Sequence, residues 1–510
     1  GLPMIIVRLM KKRKRLSLAM LAFPALVLLG LPLAARPVTI TLGGPEEWRS
    51  LARREGLTLE KGKGGYHDLV LKESEYTSDE DTDLLLHFNS LPLAEETGRY
   101  AVRKADFQLN GEYARLGSGS GVFQGASPVI LEPRAGALFA PRTGWDDFSI
   151  EFWLYPASLG DGEVIFQWEG YRRHDGNLIP QRIETRIERR TLVWSFANVF
   201  CGSGAETMTV EIRGVDRLIP RTWHHHLLTF DGASGVLTYS IDGVPAGIRY
   251  ATPSGRDEPS HCFPVIGEAE VTTLTIGPRL TGFLDEFRIS RTVVRDPLLK
   301  RYSRAHGRAI TRVFDLEYSG TRVTRIDARL EKPANSEINF YVRSSDTFVT
   351  TERMGSEWLP FLPGSSLRGK VNGRYIQLMV EFFPDGRNEV TPRLFGIDIV
   401  YEPDLPPVSP VGLKAIAGDG KVTLSWQRVT EEDVRGYYLF YGTGPLNYQG
   451  EEAREGASPI DVGNVTSFTL TGLSNGTLYY FAVAAYDAST PPHVSPFLEE
   501  KSARPSEVLE

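Results

Sequence analysis

From residue 84 onward the chain consists of strand-like runs separated by Gly, Pro, Asn and Asp, and several of these runs show an alternation of apolar and polar residues with a period of two. It is clearest in 148–155 (FSIEFWLY), where the apolar residues at the even positions share one face of a strand. Ser149, Glu151, Trp153 and Tyr155 share the opposite face. This segment is therefore predicted to be a strand with one face in a core.

Turn residues separate the predicted strands. Residues 237–244 (LTYSIDGV) predict a strand entering a tight Asp-Gly turn. The chain contains 50 Gly and 33 Pro, a balance that suits short strands better than long helices. Helical periodicity is confined to 46–55 and 296–305. The sequence therefore predicts an all-β, multidomain protein of β-sandwiches.

Changes in composition divide the 510 residues. An acidic stretch at 78–83 precedes the first strong strand, charged residues at 291–308 follow the last strand of that region, and a Pro-rich connector occupies 403–410. The predicted boundaries set apart an N-terminal leader, a segment without an assigned fold, and three strand-rich domains. The five ranges are 1–35, 36–82, 83–297, 298–403 and 404–510.

The first 35 residues have the layout of an export signal. A positive cluster at 11–15 precedes an apolar run over 16–35, which is the order of a secretory signal. The run ends in Leu33-Ala34-Ala35, so cleavage is expected before Arg36. An uncleaved anchor is the alternative, because about 20 apolar residues span a bilayer. Either way the protein is expected in the periplasm, on the cell surface or secreted, with membrane contact only through an uncleaved leader.

The charge distribution argues against nucleic acid as a partner. The formal net charge is −7, yet the first 35 residues carry six positive charges and no acid, so the remainder carries −13. Phosphate backbones are bound by basic surfaces. We therefore expect a glycan, a glycoprotein or an envelope protein as the partner.

Five motifs in 83–297 resemble the LamG-like, concanavalin A-like jelly-roll family. They are LLLHFN (84–89), FSIEFW (148–153), RTWHHH (221–226), YSIDGV (239–244) and GFLDEFRI (282–289). The resemblance implies two curved antiparallel sheets, a mostly non-catalytic role, and binding of glycans or proteins at a rim that often carries calcium.

The last domain resembles a fibronectin type III domain. Residues 422–426 (VTLSW) look like its second strand with Trp426 in the core, and 470–483 match the approach to the sixth strand. Tyr479 is the expected tyrosine corner. In 298–403, two alternating strands around a turn are similar to discoidin-like or galactose-binding-like sandwiches.

Aromatic and acidic residues in 83–297 supply the candidate ligand-binding sites. Glu151, Trp153 and Tyr155 share the strand face that the core residues leave free, and aromatic stacking with a carboxylate suits a sugar. Trp145 and Trp168 fall near predicted loops, where exposed aromatics are common in binding sites. Packing in a core is the competing interpretation for each tryptophan.

Calcium is the one candidate cofactor, with Asp285 and Asn89 as its candidate ligands. Asp285 lies in the closing strand and Asn89 ends the opening strand, which lie side by side in the resembled fold. Calcium prefers such oxygen ligands. The alternative for Asp285 is bracing a turn. The run 224–226 (HHH) is better explained by packing than by a metal, because at most two of its side chains share a strand face.

Cys201 and Cys262 both fall in the predicted jelly roll. In an oxidising compartment they would form a disulfide worth about 4 kcal/mol, and two buried thiols are the alternative.

No enzyme motif accompanies these features. Related jelly-roll glucanases alternate two Glu and an Asp along one strand so that acid and nucleophile share a face, whereas this strand has Glu151 alone. The sequence therefore predicts an exported bacterial, non-catalytic protein whose jelly roll recognises a glycan or glycoprotein while the other domains act as spacers. The alternatives are an envelope assembly component that binds only proteins, and a carbohydrate-active enzyme with an unrecognised site.

Overall fold

The computed structural model describes residues 36–200, 207–268, 273–302, 306–348 and 356–507. The predicted leader, 1–35, lies outside these residues. The described chain is almost entirely strand and turn, which confirms the all-β prediction, and its helical segments are two single 3-10 turns at Gly44–Glu46 and Pro333–Asn335. No helix among the described residues has both the length and the apolar character needed to cross a membrane.

The strands are numbered in chain order. The first four are β1 Val38–Gly43, β2 Leu51–Glu55, β3 Leu57–Lys61 and β4 His67–Leu71. The next fifteen are β5 Thr82–Leu86, β6 Tyr100–Ala105, β7 Gln108–Asn110, β8 Ser120–Gln124, β9 Val129–Pro133, β10 Phe148–Pro156, β11 Val164–His174, β12 Asn177–Glu188, β13 Thr191–Ala197, β14 Thr209–Arg213, β15 His224–Asp231, β16 Val236–Ile241, β17 Val244–Tyr250, β18 Leu274–Arg279 and β19 Thr281–Ser290. Then come β20 Gly307–Thr311, β21 Phe314–Asp315, β22 Arg322–Glu331, β23 Glu337–Ser345, β24 Leu359–Phe361, β25 Tyr375–Phe383 and β26 Arg393–Glu402. The last seven are β27 Lys414–Gly418, β28 Lys421–Ser425, β29 Gly436–Gly442, β30 Ile460–Gly463, β31 Ser467–Thr471, β32 Tyr479–Tyr486 and β33 Lys501–Ala503.

The N-terminal strands β1–β4 belong to the same sandwich as β20–β26. One sheet has the order β1-β26-β4-β3, with β22 also paired to β26, and the other has the order β2-β20-β25-β23-β24, with β21 paired to β25. A Cβ placed on Gly307 of β20 would meet the side chains of Leu57 and Leu71, so the two sheets face each other closely. We call this domain, formed by the strands within 39–71, 307–316 and 323–400, the composite sandwich.

The composite sandwich corrects two expectations from the sequence. Residues 36–82 are not without a fold, because β2 pairs with β20 and β4 pairs with β26. Residues 298–403 form only part of a sandwich. The two alternating strands predicted there, now β25 and β26, lie in opposite sheets.

The expected helical stretches are also wrong. Residues 51–55 form β2, which pairs with β20 in the composite sandwich, and the described residues of 296–305 contain no helix. The predicted Asp-Gly turn is confirmed, since Asp242 and Gly243 join β16 to β17 with φ angles of 52° and 79°. Glycine tolerates this left-handed conformation without a Cβ clash.

The jelly roll, 82–290, lies between the two parts of the composite sandwich in the chain. Its eight-stranded sheet has the order β17-β16-β15-β10-β19-β8-β7 with β5 on β19, and its seven-stranded sheet has the order β14-β13-β12-β11-β18-β9-β6. The even residues of 148–154 are fully buried between these sheets, as the alternation predicted. The guanidinium of Arg115 donates to both oxygens of Glu389, at 2.7 and 2.9 Å, and so ties the jelly roll to the composite sandwich.

The outer face of the eight-stranded sheet is also covered. Tyr76, Leu85, Leu116 and Trp153 form a second, smaller buried cluster there. Tyr76 belongs to an irregular segment, 72–81, that leads from β4 to β5 and that we call the strap. The strap connects the composite sandwich to the jelly roll and packs on the sheet face that the sequence suggested was free.

The fibronectin type III domain is in a separate compact unit, Tyr401–Glu510 with Glu317–Arg322. Its sheets have the orders β27-β28-β31 and β30-β29-β32-β33. Trp426 is 5% exposed and packs edge-on against Tyr437 with ring centres 5.5 Å apart. The hydroxyl of Tyr479 accepts the N–H of Ser474 at 3.0 Å, which confirms the tyrosine corner.

Candidate functional site

Glu151 lies in a buried polar cluster instead of at the surface. Its Oε2 accepts the hydroxyl of Tyr76 at 3.0 Å and lies 2.9 Å from Nε2 of His225. Its Oε1 accepts two N–H groups of Arg288, at 2.7 and 2.5 Å. The Arg288 guanidinium also lies 4.4 Å from the centre of the Tyr76 ring. We call these four residues the Glu151 cluster.

Electrostatics keeps Glu151 ionised. Burial acts to raise the pKa of this carboxyl, but the hydrogen bond to His225 and the charge of Arg288 outweigh burial and hold the pKa below its usual value. Burial raises the pKa of Tyr76 well above that of a free phenol, and the Glu151 charge adds to the effect. The cluster is thus an internal ion pair beneath the strap, with every Glu151 oxygen committed.

The predicted glycan platform on β10 is therefore wrong for two of its three residues. Glu151 is fully buried and Trp153 is 3% exposed, with the Arg115 guanidinium 4.2 Å from its ring centre. The physical reason is the strap, which covers the face that the core leaves open. Tyr155 alone remains half-exposed.

Trp145 and Trp168 are core residues, which corrects their prediction as exposed ligand-binding aromatics. Trp145 is 2% exposed, packs edge-on against Phe139 and Phe148, and donates its indole N–H to the carbonyl of Leu138 at 2.7 Å. Trp168 is 1% exposed on β11. Neither ring can stack on a ligand at the surface.

Asp285 and Asn89 each hold a backbone turn. Asp285 Oδ2 accepts the N–H groups of Arg115 and Leu116 at 2.8 and 3.0 Å, and its Oδ1 is buried without a hydrogen bond. The amide oxygen of Asn89 accepts the N–H groups of Ser118 and Gly119, both at 3.0 Å. Of these oxygens, only Asp285 Oδ1 has no hydrogen bond and is free to bind a cation. Calcium binding at Asp285 stays a prediction.

A bulge turns Asp285 and its neighbour Glu286 toward the same side of β19. The register with β10 shifts between Glu151 and Trp153, and Glu286 has a φ of 50°. Glu286 accepts the N–H of Tyr76 in the strap and lies 2.9 Å from Nδ1 of His87. Burial raises the pKa of Asp285 well above its usual value, and the Glu286 charge raises it further.

The three consecutive histidines have three different partners. Nδ1 of His224 lies 2.6 Å from Asp242, His225 belongs to the Glu151 cluster, and Nδ1 of His226 lies 2.7 Å from the hydroxyl of Tyr239. Burial lowers the pKa of His226 to about 3, so this side chain is neutral in the core. Each histidine thus contacts a side chain of its own domain, in line with the structural role that the sequence favoured.

One His/Asp group in the described residues has the spacing of a metal site. Ligand atoms of Asp404, Asp487 and His493 lie within 4.8 Å of one another. Asp487 is already committed, since it accepts the N–H groups of Ser489 and His493 at 3.0 and 2.8 Å. These contacts brace the turn after β32. The expected disulfide falls partly outside the described residues, because Cys201 is not among them.

Four aromatic rings cluster at the end of the eight-stranded sheet of the jelly roll. Tyr113 is 49% exposed and its ring centre lies 5.7 Å from that of Phe283 and 6.1 Å from that of Tyr155. Tyr155 lies 5.1 Å from Phe283 and 5.5 Å from Trp223. The last three rings are half-buried. We call this surface the aromatic patch.

Strand register assembles the aromatic patch. Tyr155 near the end of β10 is the cross-strand neighbour of Phe283 on β19, and Trp223 directly precedes β15 on the other side of β10. Tyr113 comes from the segment between β7 and β8. The sequence identified Tyr155 as a candidate but not the other three, because pairing across strands is not visible in one strand's alternation.

Comparison with known families agrees with this fold. Residues 135–297 match the concanavalin A-like lectin/glucanases superfamily, and residues 406–498 match the fibronectin type III domain. Both resemblances are confirmed for these ranges. The discoidin-like resemblance of the middle segment stays a prediction.

Individual relatives match the chain only in part. A Kelch domain-containing protein of Saccharolobus solfataricus is 40% identical over 85 residues, which is 17% of this chain and 10% of that protein. The chain thus spans about a tenth of the curated relative it matches. Domain 4 of an extracellular GH43 arabinanase of Geobacillus stearothermophilus, solved with arabinotriose, is 15% identical with a TM-score of 0.27 and covers 42% of this chain and 95% of its own. The binding domain of botulinum neurotoxin DC, solved with SialylT, is 12% identical with a TM-score of 0.30 and covers 80% of this chain and 86% of its own.

Proposed function

We propose that this protein is a non-catalytic carbohydrate-binding protein and that the aromatic patch of the jelly roll is its binding surface. The observation that carries the proposal is the exposure of Tyr113 above three further rings on a lectin-type fold. Aromatic faces offer a flat apolar surface to the C–H groups of a sugar ring, and their polar edges accept or donate hydrogen bonds. Binding is proposed to occur outside the cytoplasm, a step supported by the signal-like leader alone.

A non-catalytic role is supported by the state of the one acid on β10. A glycosidase needs a pair of carboxyl groups at the substrate, one of which is protonated. Glu151 instead is buried and paired with Arg288, and its pKa is held below the usual value. Glu151 is therefore ionised and inaccessible to a substrate, whereas a general acid must be protonated and must contact the substrate.

The test compares two aromatic truncations in the jelly roll. Tyr113→Ala removes the exposed ring of the aromatic patch, and Phe263→Ala removes a ring that is 40% exposed and packs on Phe230. The wild-type chain is screened on a glycan array, and the best glycan is then titrated by calorimetry. Loss of a central aromatic contact costs more than about 1.4 kcal/mol, so Tyr113→Ala should weaken binding at least about tenfold.

Two results would contradict this proposal. One is an array without any bound glycan, which would favour the assembly role, since exposed apolar patches also serve protein contacts. The other is equal weakening by Tyr113→Ala and Phe263→Ala, which would place the site elsewhere.

A further inference from the structure

The composite sandwich contains a cavity of about 810 Å³ that is distinct from the aromatic patch. Its walls are the hairpin turn between β3 and β4, the Gly44–Pro45 corner, and one face each of β22 and β26. This volume is within the range of about 300–1,000 Å³ typical of small-molecule sites. A site of this size accommodates a short oligosaccharide.

Positive charge in the cavity is of two kinds. The arginines are held by acids of the same domain, since Arg393 pairs with Glu60 at 3.1 Å and with Asp68 at 3.2 Å, and Arg329 pairs with Asp398. Lys61 and Lys63 on the hairpin turn are exposed and have no acidic partner within 4 Å among the described residues. Their ammonium groups are therefore available to an anionic ligand.

Aromatic and acceptor groups complete the lining. Tyr66 is 44% exposed at the end of the hairpin turn, and Phe395 is half-buried on β26. Glu331 on β22 adds a carboxylate that can accept sugar hydroxyls and that repels a densely charged polyphosphate. This combination favours a ring-shaped, hydroxylated and moderately acidic ligand.

The turn that carries the lysines is fixed before any ligand binds. Gly62 donates its N–H to the carbonyl of Tyr66 at 2.8 Å, and Gly65 donates to the carbonyl of Gly62 at 3.1 Å. A Cβ on Gly62 would lie 2.2 Å from a carboxylate oxygen of Asp68, so the close approach requires glycine. Asp68 in turn holds Arg393 in the cavity wall. Such preorganisation lowers the cost of binding.

We propose that this cavity binds an acidic oligosaccharide, with its carboxylate or sulfate groups at Lys61 and Lys63 and a sugar ring on Tyr66. The site lies in a different domain from the aromatic patch and goes beyond the carbohydrate binding proposed there. Either site can fail without the other.

The experiment titrates the whole chain with trigalacturonic acid, with a heparin tetrasaccharide, and with a neutral galactose trisaccharide. We expect one or both acidic probes to bind, with an affinity that falls as salt rises, and the neutral probe not to bind at this site. Lys61→Gln with Lys63→Gln should weaken acidic binding at least tenfold, and Tyr66→Ala should weaken it as well. Lys414→Gln, at an exposed lysine of the fibronectin type III domain, should leave it unchanged.

Several results would overturn the cavity proposal. The first is that neither acidic probe binds, and the second is that an acidic probe binds the double lysine variant as tightly as the wild type. The third is that acidic binding is lost in Tyr113→Ala instead. The fourth is that ATP binds more tightly than either acidic sugar. If neither acidic probe binds but binding of the glycan found on the array is still lost in Tyr113→Ala, the proposed function stands while the cavity proposal falls. If acidic binding is lost in the double lysine variant but no glycan binding depends on Tyr113, the cavity is supported and the aromatic patch is contradicted.

Discussion

Replacing Glu151 with glutamine tests whether the Glu151 cluster holds the strap on the jelly roll. The change keeps the size and one oxygen of the side chain but removes the charge that faces Arg288. The Arg288 side chain is 16% exposed and the Glu151 side chain is fully buried, so water compensates only a small part of the lost interaction. Breaking a buried pair on one side costs about 3–5 kcal/mol, because the other charge is left uncompensated.

This loss should be visible as a shift in melting temperature. For a domain of this size, 1 kcal/mol corresponds to about 2–4 °C, so a loss of 3 kcal/mol lowers Tm by about 6–12 °C. Differential scanning calorimetry measures the shift. Glu112→Gln makes the same chemical change at an exposed position of the jelly roll and should stay within about 0.5 kcal/mol of the wild type.

The pH dependence provides a second readout of the same residue. Because the pKa of Glu151 is lower in the folded protein than in the unfolded chain, its contribution to stability is complete above about pH 4.3 and is lost as the pH falls through the folded-state pKa. The stability of Glu151→Gln should therefore fall less steeply as the pH is lowered through this range than the stability of the wild type. Adding Arg288→Met to Glu151→Gln should recover part of the loss, since both partners are then uncharged. A Tm for Glu151→Gln equal to that of Glu112→Gln would refute the reasoning.

Two further predictions concern other parts of the chain. Trp426→Ala should destabilise the fibronectin type III domain by about 3–5 kcal/mol in calorimetry. Ile416→Ala, at a residue that is 66% exposed, is the neutral control. Loss of the jelly-roll transition in the same variant would contradict independent unfolding of the two domains. Calcium at about 100 times its Kd should stabilise the wild-type jelly roll by about 2.7 kcal/mol, and Asp285→Asn should abolish that gain. An equal calcium response in both proteins, or none in the wild type, would remove Asp285 as a ligand.

The inner face of the jelly roll could be predicted from the sequence, and its outer face could not. Period-two alternation places Phe148 and Ile150 in the core because neighbouring side chains of a strand point to opposite sheet faces. The same alternation left Glu151 and Trp153 free, since nothing in their own strand reveals that Tyr76 covers them. The strap has no periodicity of its own, and the sequence of β10 contains no sign that the strap packs on it.

The composite sandwich escaped prediction for a related reason. Strands β1–β4 are short, and Leu71 at the end of β4 donates its N–H to Thr391, 320 residues away in the chain. Charged stretches at 78–83 and 291–308 flank strands β5–β19 of the jelly roll, but a single sequence does not show that the segments beyond them pair with each other. Likewise Lys61, Lys63 and Tyr66 look like an ordinary polar turn until Phe395 is seen opposite them.

The placement of the jelly roll inside the composite sandwich has a consequence for the order of folding. Thr82 and Ser290, at the two ends of the jelly roll, are cross-strand neighbours, so a folded jelly roll holds both halves of the sandwich close together. The loop that must close between β4 and β20 then shrinks to the connectors 72–81 and 291–306. With about 0.6 kcal/mol for each doubling of loop length, roughly three doublings save about 2 kcal/mol of closure entropy. The jelly roll is thereby expected to fold first and to act as the template on which the two separated halves of its neighbour meet.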